Sequence, residues 1–182
     1  MGDSNLIYKY LISEDKIPDL DSHLTPLQNV HATSVRIFIE EYAHWLRLYD
    51  LWIANFAKTR TFCLSVVGIK SWVLQVIIGW YARRQQMAAL HAQGIGRHSE
   101  EEVGMFTDEA VKVIAGFIKE DELASVGKPN LVQASLFGLL MSLYLARHVS
   151  TLWMRELVKY PEIEQWTRNM AQKYYPERSF PE

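Results

Sequence analysis

The stretch VRIFIEEYAHWLRLY, residues 35–49, decides the fold class. Its apolar residues Val35, Phe38, Ile39, Tyr42, Leu46 and Tyr49 recur at spacings of three and four, which puts them on one face of an α-helix. Upstream, Thr25-Pro26 reads as an N-cap with proline in the first turn, so the helix is expected to start there. Proline is then absent from 27 to 128, a span that suits successive helices. There is no Asn-Gly or Asp-Gly hairpin signal and no sustained alternation to mark strands. The class is all-α.

Downstream, Asp50 to Lys58 is expected to form a corner or short helix. Thr61 to Tyr81 reads as a helix apolar on most sides, which would lie centrally. Arg83 to Ala92 follows as a further helix stopped by Gly94 and Gly96. Ser99 with Glu102 forms a capping-box pattern that opens a helix through about Lys119. Val103, Phe106, Ala110, Val113, Ile114, Phe117 and Ile118 give that helix a core face. Gly127-Lys128-Pro129-Asn130 breaks the chain, and Leu131 to about Tyr160 is expected as the longest helix, ended by Pro161. The expected division is an N-terminal extension over 1–24, a helical domain over 25–160 and a C-terminal tail over 161–182. The tail has helical potential from Glu162 to Lys173.

A chain of 182 residues with 49% apolar and 12% aromatic content can bury a single core, which excludes a disordered chain. A net charge of −2 leaves no broad basic footprint for nucleic acid. Cys63 is the one cysteine, so no intrachain disulfide or thiolate cluster forms, and a reducing cytoplasm is expected. Cys63 itself reads as inert packing. The first residues lack the basic start and apolar core of a signal peptide, and Met1-Gly2 lacks the serine or threonine of a myristoylation site. Phe62 to Trp80 is nearly charge-free, but Lys70 at its centre would cost about 2.5–3.5 kcal/mol in a bilayer. No membrane span is expected.

Candidate functional residues cluster around Tyr42, Phe56 and His91. A phenol among apolar neighbours, an aromatic corner and an imidazole at a helix end would suit an enclosed, flat iron cofactor. Glu41-Tyr42-Ala43-His44 also contains a Glu-x-x-His pair, but a di-metal bundle needs a second such pair, and none exists. His44 then reads as interfacial or exposed, and His31 and His98 as solvated. Glu100 to Glu102 is an acidic helix start favoured by the dipole. No nucleophile elbow, phosphate loop or catalytic triad is present, which leaves enzymatic activity open.

In its order of elements the chain resembles the globin superfamily, specifically the sensor-globin and protoglobin branch. The likeness covers roughly residues 30–160 and rests on Glu41-Tyr42-Ala43-His44-Trp45-Leu46 and on Ala88-Ala89-Leu90-His91-Ala92-Gln93-Gly94-Ile95-Gly96. The resemblance implies a heme-binding protein that reversibly binds oxygen or another diatomic gas as sensor or carrier. His91 would be the proximal metal ligand, Tyr42 the distal hydrogen-bond donor and Phe56 a wedge against the porphyrin. Phe62, Leu64, Val66, Val67 and Ile95 would line the heme pocket. It further implies a homodimer through the last two long helices, with Leu136, Leu140, Tyr144 and Leu152 as contacts. The alternatives are a heme-free globin-like regulatory domain holding a fatty acid or other apolar ligand, and a helical interaction protein.

Overall fold

A computed structural model describes residues 4–125, 128–177 and 180–181. Every regular element among them is helical, as the periodicity requires. In chain order they are α1 (Ser4–Ser13), α2 (Pro26–Ile37), a π-helical turn (Phe38–Ala43), α3 (His44–Tyr49) and a second π-turn (Asp50–Ala54). Then come α4 (Phe56–Val66), α5 (Trp72–Gln93), a 3-10 turn (Ile95–Arg97), α6 (Glu100–Glu120), a second 3-10 turn (Glu122–Ala124), α7 (Leu131–Leu145), α8 (Thr151–Leu157) and α9 (Pro161–Tyr174). Of the residues expected to break the chain before α7, Gly127 lies outside the described residues. So do residues 1–3 of the expected extension and 178, 179 and 182 of the expected tail.

Local signals hold. Thr25 Oγ1 accepts from the Gln28 amide at 3.3 Å while the Gln28 side chain accepts from the Thr25 amide at 2.9 Å. Ser99 and Glu102 exchange the same pair of bonds at 3.2 and 2.8 Å. Each box satisfies two amide donors that a helix start leaves open.

α6 and α7 carry the centre of the core, with Val103, Val111, Leu136, Leu140 and Leu143 fully buried, and Trp153 of α8 and Ile163 of α9 pack into the same cluster. Val113, expected on the core face of α6, is exposed instead. α9 is an integral wall: Ile163, Trp166 and Met170 are buried, and Trp166 Nε1 donates to the Ala124 carbonyl at 2.7 Å. Asn130, the N-cap of α7, donates to the Leu123 carbonyl at 2.9 Å, and Gln133 adds a second bond there, also at 2.9 Å. These bonds fix the α6–α7 connection onto the start of α7.

Two long-range expectations are corrected. Thr61 to Tyr81 is not one central helix. It breaks between Val66 and Trp72, where Gly68 adopts φ +82° and the Ile69 amide turns back to the Leu64 carbonyl at 2.8 Å. α5 then runs on through the segment expected as a further helix. The resulting hairpin leaves much of its apolar surface uncovered, because apolar periodicity says nothing of whether a partner surface is present. Leu131 to Tyr160 is likewise divided. α7 ends at Leu145, and the first turn of α8 is capped by Asp50, which accepts from the Leu152 and Trp153 amides at 3.2 and 3.3 Å. The longest helix is α5. No helix among the described residues is long and apolar enough to cross a membrane.

Candidate functional site

A groove of about 500 Å³ runs between the first π-turn with α3 and the facing side of α7. Glu40, Glu41, His44 and Arg47 line one wall, and Ser135 and Ser142 the other. A π-turn inserts one residue into a helical turn and re-aims the side chains after it, and such turns concentrate at functional sites.

Glu40 anchors the groove. One carboxylate oxygen accepts from Ser135 Oγ at 2.7 Å; the other accepts from Arg36 Nη1 at 3.2 Å and Asn5 Nδ2 at 3.3 Å. Arg36 also donates to Asn5 Oδ1. One carboxylate thereby ties α1, α2 and α7 together. Arg47 stands differently: the residue is half-buried and its Nε–H is buried with no hydrogen-bond partner. Burial lowers its pKa against the pull of Cys63 and Asp50, yet a guanidinium stays cationic at neutral pH. A buried, charged N–H without a partner is the group that a carboxylate or phosphate oxygen satisfies best. His44 stands exposed in the same wall. Desolvation and then the Arg47 charge push its imidazole below the ordinary value, with Glu41 pulling the other way.

The residues expected to hold a heme fall into separate settings. His91 is exposed in the last turn of α5, and its carbonyl accepts from Arg97 Nε at 3.0 Å. Tyr42 is half-buried against Phe38, ring centroids 5.6 Å apart, and burial raises its pKa with Glu109 adding to the rise. Phe56 opens α4 beneath Arg83, whose guanidinium lies 4.6 Å from the ring centroid. Phe62 packs on a satellite cluster of Leu51, Ala146 and Val149, and Leu64 is half-buried. Val66 and Val67 are exposed, and Ile95 belongs to the main core. The residues do not fit an enclosed porphyrin: the imidazole and two of the expected lining residues face solvent.

Other expectations can be located as well. Leu136, Leu140, Tyr144 and Leu152 are all buried within the chain, so none offers surface to a second subunit. His31, read as solvated, pairs with Asp121 at 2.5 Å. Cys63 is half-buried and its thiol is pushed up by desolvation, in keeping with inert packing, while the Arg47 charge pulls it down. Arg47 escaped the sequence reading, because an arginine on a helix is ordinarily a solvated charge and nothing local marks it as buried.

The chain is 28% identical over 142 residues to an isoprene-epoxide–glutathione S-transferase of Rhodococcus sp. (strain AD45). The likeness is to a transferase. It covers 77% of this chain and 59% of that protein, so the chain spans less than two thirds of its relative's length. No family model matches the chain, and no solved structure matches it. Similarity to a glutathione transferase over most of the chain overturns the reading as a heme-binding gas sensor or carrier, and heme as its cofactor goes with it. The exposed His91 gives the physical reason.

Proposed function

We propose that this chain forms the helical part of a glutathione-dependent transferase, with the groove between the first π-turn and α7 receiving the tripeptide. The observation that carries the reading is the 28% identity, over 142 residues, to the Rhodococcus enzyme. Chemical fit supports the choice of groove. Glutathione presents two carboxylates, an ammonium and a thiol. Arg47 lines the groove with a cationic guanidinium for a carboxylate, its buried Nε–H still without a hydrogen-bond partner, and the exposed Glu41 offers an acceptor for the ammonium.

Transfer needs the thiolate, because the thiol is the weaker nucleophile. Burial holds the Cys63 thiol above its ordinary value and the Arg47 charge opposes that rise; a thiol bound in the groove beside Arg47 would feel the same cationic field, which favours its thiolate. His44, its pKa lowered, is largely neutral at pH 7 and suited to take the thiol proton. The sulfur then attacks a carbon of an epoxide or comparable electrophile. A C–S bond forms as the C–O bond breaks, and the alkoxide recovers the proton. Glutathione and an unpaired Cys63 both belong to a reducing compartment, and we place the chain in the cytoplasm.

Calorimetric titration of the full chain with glutathione tests the groove. Saturable binding is expected, and Arg47→Ala should weaken it about tenfold or more, the worth of one charged hydrogen bond. No heat at millimolar glutathione, or equal affinity in the variant, rejects it. Mass spectrometry of an epoxide incubated with glutathione and the chain reads the transfer itself.

A further inference from the structure

The α4–α5 hairpin combines two features that the transferase reading leaves unused. Its tip and outer faces are apolar and open to solvent: Val66 and Trp72 are 72% and 74% exposed, and Val67, Ile77, Trp80 and Tyr81 are exposed with them. It also lies in a stretch with a single sign of charge. From residue 51 to residue 99 the chain has six Lys and Arg and no Asp or Glu, although the whole carries 21 acidic against 19 basic residues. Lys58, Lys70 and Arg84 of that stretch are exposed.

The hairpin is a built element. The Gln75 side chain donates to the Ile69 carbonyl at 2.7 Å across the tip, and Gly79 lets α5 lie close against the Arg60 side chain. At its base Arg60 and Arg83 flank the Phe56 ring at 5.9 and 4.6 Å.

We propose that this hairpin docks the protein on an anionic lipid surface, its apolar tip entering the headgroup–acyl boundary while its cations meet lipid phosphates. Apolar surface with tryptophan and tyrosine, interleaved with Lys and Arg, is the composition that holds a helix in that boundary. Spanning is excluded for the described helices, and insertion from one side needs no span. Charge decides between occupants. A second copy seated on the hairpin would bring its five cations, Lys58, Arg60, Lys70, Arg83 and Arg84, against the same five, whereas a leaflet rich in anionic lipid attracts them.

The test mixes the full chain with vesicles of phosphatidylglycerol and phosphatidylcholine in equal parts, and with vesicles of phosphatidylcholine alone. Sedimentation with vesicles and tryptophan emission are read. The chain should bind the anionic vesicles with a blue shift. Binding should fall as salt rises from about 0.01 to about 1 M, which shortens the screening length from about 30 to about 3 Å. Lys70→Glu should weaken binding by about tenfold or more, since each cation near such a surface is worth about fivefold. Ile77→Asp should abolish the blue shift with the helical circular dichroism unchanged. No binding, equal binding to both vesicles, or a salt-stable dimer that Ile77→Asp dissolves would overturn the proposal.

Discussion

At Asp50, burial and hydrogen bonding pull in opposite directions. Desolvation of this fully buried carboxyl pushes its pKa up to about 6, against lowering bonds from the Leu152 and Trp153 amides and Asn55. An aspartate in an unfolded chain titrates near about 3.9. The folded state therefore holds the proton more tightly, and the stability Asp50 contributes falls as pH rises from about 4 to about 6, then levels. At ~1.4 kcal/mol per pKa unit the fall is on the order of 2–3 kcal/mol. Glu102 and Asp108, whose pKa values are lowered, act the other way: their stability is present above their ordinary range and lost as pH drops through their folded values. Melting temperatures of wild type and Asp50→Asn between pH 4 and 7 separate the two: the variant should lose the decline from pH 4 to 6. An identical slope in both would remove Asp50 from the account. Nothing in the sequence singles out this residue, because the amides it caps lie about a hundred positions away.

Helices here were legible in proportion to how local their determinants are. The boxes at Thr25 and Ser99 join residues three apart, so reading the string is enough to place those starts. The α4–α5 boundary is different. A glycine inside an apolar run is compatible with a continuing helix, and Gly68 becomes a turn only because the two segments fold back on each other. Gly79 is where they meet: a Cβ there would stand 2.4 Å from Arg60 Cγ and 2.6 Å from Cδ. Gly79→Ala gains about 1 kcal/mol of helix propensity. The Arg60 stem must move to admit the methyl, at a cost of about 1–3 kcal/mol. A net loss of up to about 2 kcal/mol is expected in urea denaturation. A stabilised variant would show that the hairpin packs less closely than described.

Across the whole protein, stability rests on the junction of α6, α7, α8 and α9. Trp153 is its largest fully buried side chain, and Trp153→Ala should cost about 3–5 kcal/mol by equilibrium denaturation. Against a total of about 5–15 kcal/mol, that brings the fold close to its limit. A loss below about 1 kcal/mol would mean that the site collapses around the smaller residue.

The linear chain was sufficient for the helical class, two helix starts and the burial of Ile39, Leu46, Tyr49 and most of the α6 face. Those follow from the 3.6-residue period and from bonds between near neighbours. It was silent on which apolar surface finds cover, on where long helices divide, and on which cation keeps a buried N–H without a hydrogen-bond partner. Tyr42 and His91 read alike as candidates, yet one is half-buried and the other faces water. Three-dimensional packing settled these, because desolvation and the pairing of a buried charge depend on groups that folding brings from distant parts of the chain.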